Sequence, residues 1–168
     1  MNLRLIIAGG TIDKQFNQVT GDLAFGDTHL NEMLKQARFE GQLTIEHILM
    51  KDSSDMTQED RDKLAEACLD AKENNIAVTH GLDTMIESAQ TIARVLKDKP
   101  KTVVLTGAMV PYSFGITSDA LFNLGTALAF AQSLPAGVFI GMNGRYFSSD
   151  NVQRDLAVGS FKELAAKL

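Results

Sequence analysis

Five short apolar runs, at residues 3–8, 43–49, 76–79, 102–105 and 137–142, are separated by helix-length segments at 29–38, 57–72, 84–96 and 118–132. That alternation restricts the fold more than any other feature of the chain. The runs have the length of strands covered on both faces, and the segments between them carry apolar residues at the spacing of helices with one buried face. Strand and helix in turn demand a parallel sheet with helical crossovers. The expected fold is α/β: an open, doubly wound, mainly parallel sheet flanked by helices, in a Rossmann-like or flavodoxin-like three-layer arrangement. Ligands of such sheets bind beyond the carboxyl ends of the strands.

Local chemistry marks several boundaries. Thr57 with Asp60, and Thr84 with Glu87, have the spacing in which a hydroxyl and a carboxylate satisfy the first amides of a helix. Asn143-Gly144 between apolar runs predicts a small hairpin near residues 138–148. Residues 12–28 show no period and are too long for a bland turn, which reads as a lid over Thr11. Residues 161–168 read as a short amphipathic helix. At 168 residues the expectation is a single domain over 1–168, with no second domain.

A net charge of −5 without a Lys/Arg cluster leaves no basic face for nucleic acid or an anionic membrane. The first apolar run is too short for a signal-peptide core, and the lone Cys68 cannot form an internal disulfide, so a cytoplasmic setting is expected. His29, His47 and His80 are widely separated, without metal-ligand spacing, and the glycines follow neither a dinucleotide fingerprint nor a phosphate loop. No metal and no cofactor are expected. What remains is small-molecule chemistry or protein contact.

Hydroxyls and carboxylates gather just past strand ends. Thr11 follows Gly9-Gly10, where a sharp turn exposes a side chain; it either caps a helix or serves as a nucleophile, and the motif alone leaves both open. Asp83, in Thr79-His80-Gly81-Leu82-Asp83-Thr84, lies where a strand becomes a helix, so it either begins that helix or holds a ligand ammonium. Asp52-Ser53-Ser54-Asp55 and Thr106-Gly107-Ala108 are weaker, since such loops are common outside sites.

Together, Gly9-Gly10-Thr11-Ile12, Asp52-Ser53-Ser54-Asp55-Met56, His80-Gly81-Leu82-Asp83-Thr84-Met85, Leu105-Thr106-Gly107-Ala108-Met109 and Ser118-Asp119-Ala120-Leu121-Phe122-Asn123-Leu124 closely resemble the amino-terminal domain of the bacterial-type L-asparaginases, from residue 1 to about residue 160. The resemblance implies that Thr11 attacks the side-chain amide carbon of asparagine, releases ammonia and leaves an acyl-ester for water. It implies that Ser53, with Ser54 beside it, binds the substrate carboxylate and Asp83 the ammonium. Backbone near Gly10 and Leu82 would supply oxyanion-stabilising amides, and Ala108 would line the amide end of the pocket.

The chain departs from that family at three places. Leu82 stands where a threonine is usual, and Arg154, in Asn151-Val152-Gln153-Arg154, where a lysine able to exchange a proton is usual. Arginine stays charged and can stabilise an anion without acting as a base. Residues 12–28 contain no tyrosine, leaving Phe16 and Phe25 to close the site and Tyr112 as the nearest phenol by motif position. Two readings follow: an asparaginase-type amidohydrolase acting on a small amino-acid amide, or a protein of that fold that binds asparagine or aspartate with weak or no catalysis. Longer relatives complete their sites with a second domain of a neighbouring subunit, so a homo-oligomer is expected.

Overall fold

The computed structural model describes residues 2–164. In chain order its strands are β1 (Asn2–Gly9), β2 (Lys14–Phe16), β3 (Leu23–Phe25), β4 (Gln42–Lys51), β5 (Asn75–Thr79), β6 (Thr102–Thr106), β7 (Gly137–Met142), β8 (Arg145–Ser148), β9 (Gln153–Asp155) and β10 (Ser160–Lys162). The α-helices are α1 (Leu30–Gln36), α2 (Gln58–Asp70), α3 (Met85–Val95) and α4 (Ala120–Ser133). A central sheet runs β4-β1-β5-β6-β7-β8, parallel throughout except for the last, antiparallel strand. Its parallel strands therefore lie in the spatial order second, first, third, fourth, fifth. The winding reverses between β1 and β5, and the crevice of such a sheet opens above that point.

Alternation along each strand feeds two apolar layers. Leu3, Leu5 and Ile7 of β1 join Ala77 and Val104 under Leu30 and Met33 of α1 and Leu124 and Ala127 of α4. Ile6 and Ala8 join Ile76, Val78, Val103 and Leu105 under Leu64 and Cys68 of α2 and Met85 and Ile92 of α3. Each buried Leu or Ile contributes about 2 kcal/mol, which is why the strands read as unbroken apolar runs. Burial pushes the Cys68 thiol up to about 12, out of reach of thiolate chemistry.

The capping box at Thr57 forms as its spacing predicts: the Thr57 hydroxyl accepts from the Asp60 amide, and the Asp60 carboxylate accepts from the Thr57 amide. Asn143 and Gly144, at φ 52° and 78°, make the two-residue hairpin turn joining β7 to β8. Three expectations are corrected. Thr84 makes no side-chain cap on α3; its hydroxyl donates to the Ser53 carbonyl at 2.6 Å. Residues 12–28 are not irregular, since β2 and β3 pair as an antiparallel hairpin. The expected helix at 161–168 begins instead in β10, where Phe161 pairs with Arg154 of β9 and buries its ring beside Phe147. Residues 165–168 of that segment lie outside the described residues. Among the described residues, no helix is long and apolar enough to cross a membrane.

Candidate active site

At the carboxyl end of β1 the chain turns through Gly10, at φ 91° and ψ −179°, into a single 3-10 turn at Thr11–Asp13. A Cβ placed on Gly10 would stand 2.4 Å from the Gly81 nitrogen and 2.6 Å from the His80 carbonyl carbon. The loops after β1 and β5 are thus in backbone contact across the switch point, and only a residue without a side chain fits there. Thr11 follows directly. It is half-buried, and its hydroxyl makes no hydrogen bond among the described residues.

The opposite loop is held from below and from the side. His80 is fully buried, and its Nδ1 lies 2.6 Å from the Gly81 carbonyl. A carbonyl only accepts, so Nδ1 carries the proton, and Nε2 accepts from the Ser88 hydroxyl at 2.8 Å. Burial pulls this imidazole down to about 4, so it stays neutral and supports the turn. From the side, the Ser53 hydroxyl accepts from the amides of Asp83 at 3.1 Å and Thr84 at 3.3 Å. Ser53 therefore caps α3 from another loop. It is 3% exposed, whereas Ser54 beside it is exposed.

Asp83 stands at the start of α3 with its side chain 73% exposed, and Arg154 Nη2 lies 3.9 Å from its Oδ1. Leu82 and Ala108 are both buried. Leu82, 7% exposed, belongs to the apolar layer under α2 and α3, with its Cδ2 3.0 Å from where a Cβ on Gly107 would stand. Ala108, 1% exposed, packs in the layer under α1 and α4.

Tyr112 is committed elsewhere. Its hydroxyl donates to Gln36 Oε1 of α1 at 2.6 Å and its ring meets that of His29 at a 45° tilt, with centroids 5.5 Å apart. Burial raises its pKa further, so the phenol is a poor proton donor. It lines a cavity of about 630 Å³ together with His29, Glu32, Gln36, Ile116 and Leu121; none of the other expected site residues lines that cavity. The β2–β3 hairpin is fastened at its base: Lys14 Nζ pairs with the Asp52 carboxylate at 2.7 Å, and the Lys14 carbonyl accepts from Ser113. Phe16 and Val19 on the hairpin are exposed, while Phe25 lies under the Lys14 ammonium, 5.4 Å away.

Two positioning residues carried no role in the sequence reading. The Asp119 carboxylate accepts from the amides of Met109 and Val110 at 3.0 Å. Asn123 donates to the Gly107 carbonyl and to Asp119, both at 2.9 Å, and accepts from the Asn143 amide. Together they fix the loop after β6 against the β7–β8 turn. The available signal was one amide inside the apolar run Leu121-Phe122-Asn123-Leu124, since a fully buried Asn must have partners.

Comparison with known proteins places these features in a family. Residues 2–160 match the family model described as "Asparaginase, N-terminal". The chain is 27% identical over 162 residues to an L-asparaginase of Thermococcus kodakarensis, covering 95% of this chain and 49% of the relative. It is 32% identical over 120 residues to L-asparaginase 1 of Escherichia coli K12, covering 68% of this chain and 34% of the relative. The solved thermostable L-asparaginase from T. kodakarensis superposes with a TM-score of 0.86 at 26% identity, over 99% of this chain and 52% of that one. L-asparaginase I from Vibrio cholerae superposes with a TM-score of 0.82 at 25% identity, over 96% and 51%. The chain spans about half the length of these solved relatives.

Proposed function

The chain belongs to the asparaginase family, matching its amino-terminal domain, and from that premise we propose that it is an amidohydrolase of the asparaginase type. Its substrate is the side-chain amide of L-asparagine or a similar small amino-acid amide, cleaved to the acid and ammonia through an acyl-ester on Thr11. The observation that carries this reading is the Gly10–Gly81 contact. It sets the Thr11 turn against the loop bearing Asp83 at the reversal of the sheet, so one small ligand can touch both. Asp83 takes the ligand's ammonium, and the amides beside Gly10 and Leu82 face the charge that develops on the amide oxygen. Donors of that kind are worth about 3 kcal/mol each in other acyl-transfer enzymes.

A second reading is favoured by specific contacts. The Thr11 hydroxyl has no base within hydrogen-bond reach among the described residues, Leu82 brings no hydroxyl, and Tyr112 is engaged with α1. A free alcohol is a weak nucleophile near neutral pH, so this arrangement also suits a protein that binds asparagine or aspartate and turns it over slowly. Incubation with L-asparagine, L-glutamine and their D-isomers, with ammonia followed beside a Thr11→Ala control, separates the two. Release that matches the control ends the enzyme reading; calorimetric binding without release supports the second.

The assembly is a homo-oligomer, a reading supported by Phe16, Val19, Ile116 and Phe122, which stand exposed on the described surface. Light scattering that gives the monomer mass at all concentrations overturns it. The setting is the cytoplasm, supported by a buried, unpaired Cys68.

A further inference from the structure

Lys14 stands three residues after Thr11, at the start of β2, and its ammonium meets both oxygens of the Asp52 carboxylate, at 2.7 and 2.8 Å. The two side chains are 16% and 36% exposed. The lysine is held on other sides as well: its ammonium lies 5.4 Å from the ring centroid of Phe25, its cross-strand neighbour, and its carbonyl accepts from the Ser113 hydroxyl. Asp52 directly precedes the 3-10 turn Ser53–Asp55, and its carbonyl accepts from the Asp55 amide. The pair therefore joins the base of the β2–β3 hairpin to the loop after β4, at the residue next to Ser53.

The Ser53 hydroxyl accepts from the amides of Asp83 and Thr84 and keeps its own proton to donate, as the carboxylate-binding role implied by family resemblance requires. Asp52 and Asp55, however, place two negative charges within two residues of Ser53, and like charges repel an incoming anion. Asp55 is exposed, so water and salt screen it. Asp52 is less exposed and needs a cation. Lys51 beside it is taken by both oxygens of Asp60, at 2.8 and 3.0 Å. Lys14 supplies the missing charge.

We propose that Lys14 is a positioning residue for carboxylate recognition: by neutralising Asp52 it makes the loop after β4 receptive to the anionic end of an amino-acid ligand. The assignment rests on the reading above, with Ser53 receiving that carboxylate. Lys14 acts through Asp52 and not by touching the ligand, so a residue of the hairpin sets which ligand charge the neighbouring loop accepts. Because the effect is one of charge, removing both partners restores what removing the lysine alone destroys. A purely mechanical strut would be lost in both cases.

The test is calorimetric titration of three amides in a Thr11→Ala background, where nothing turns over: L-asparagine, succinamate, which lacks the ammonium, and 3-aminopropanamide, which lacks the carboxylate. Lys14→Met weakens L-asparagine and succinamate about 10-fold, the effect of one unanswered like charge near the surface. The same variant leaves the cationic 3-aminopropanamide within about 3-fold of the parent or tighter. Lys14→Arg keeps the charge and binds all three as the parent does, and Lys14→Met combined with Asp52→Asn recovers the two carboxylate ligands to within about 3-fold. Thermal midpoints confirm that each variant folds; the arginine variant and the double variant carry the comparison if Lys14→Met does not. An equal loss for all three ligands, no loss of succinamate, or a double variant more than about 10-fold weaker than the parent for the carboxylate ligands overturns the assignment alone. Failure of the Thr11→Ala parent to bind any of the three sinks the asparaginase-type reading and takes the assignment with it.

Discussion

Replacing Gly10 by alanine tests whether the two strand-end loops are locked together. The added methyl carbon would stand 2.4 Å from the Gly81 nitrogen and 2.6 Å from Gly81 Cα, where ordinary contact begins at 3.4 Å. The loops must separate by about 1 Å, and the clashing atoms are backbone, so no rotamer change relieves them. Residue 10 also sits at φ 91° and ψ −179°, a conformation essentially confined to glycine, which adds about 1–3 kcal/mol of strain for alanine. With about 1–3 kcal/mol for the overlap, the sum is about 4 kcal/mol, a large share of the 5–15 kcal/mol, roughly, that stabilises a domain. Urea unfolding followed by far-UV circular dichroism measures it, a suitable probe because the chain has no tryptophan. Gly125→Ala in α4 is the internal control: nothing lies within 4 Å of its Cβ, so it stabilises by about 0.5–1 kcal/mol through helix propensity. In any Gly10→Ala protein that still folds, a displacement of this size lowers ammonia release about 100-fold. A Gly10→Ala loss below about 1 kcal/mol, or full activity in that variant, refutes the argument.

Other perturbations probe the supports of the same loop. His80 is held at about 4 against an ordinary value of 6.5, so between those pH values the unfolded chain binds a proton that the folded chain refuses. Stability present above pH 6.5 is therefore lost as pH falls toward 4, by about 3 kcal/mol; unfolding midpoints in His80→Gln lose that part of the pH slope. Ser53→Ala leaves the amides of Asp83 and Thr84 without their acceptor and costs about 1–3 kcal/mol, read by thermal unfolding. Leu82→Thr places a hydroxyl in an apolar layer and costs about 2 kcal/mol of stability; a large gain in ammonia release in the same variant would show that leucine holds the natural protein back.

Legibility from sequence followed the range of the interactions. The hydroxyl and carboxylate of the Thr57 box lie three residues apart, so the motif was readable and formed. Thr84 and Glu87 have the same spacing, yet Ser53, thirty-one residues from Thr84, supplies the acceptor for the first amides instead. The β2–β3 hairpin escaped notice because neither three-residue strand alternates strongly enough to show a period; its base is fixed by Asp52 and Ser113, both distant in the chain. Residues 161 and 162 looked helical for the same reason: Phe161 is buried by Arg154 across the ribbon and by Phe147, not by its own helical neighbours.

The alternation of apolar runs and helix-length segments was enough to determine a parallel three-layer α/β sheet, and with it which ends of the strands carry chemistry, because burial on two faces imposes a pattern that local sequence must obey. The order of those strands was not so determined. That β1 and β5 are neighbours, that Gly10 touches Gly81, and that Arg154 reaches Asp83 are contacts between residues seventy or more apart. No periodicity spans that distance; only the assembly of the sheet brings such residues together, and the same assembly buries Leu82 and Ala108 in the apolar layers and engages Tyr112 with α1.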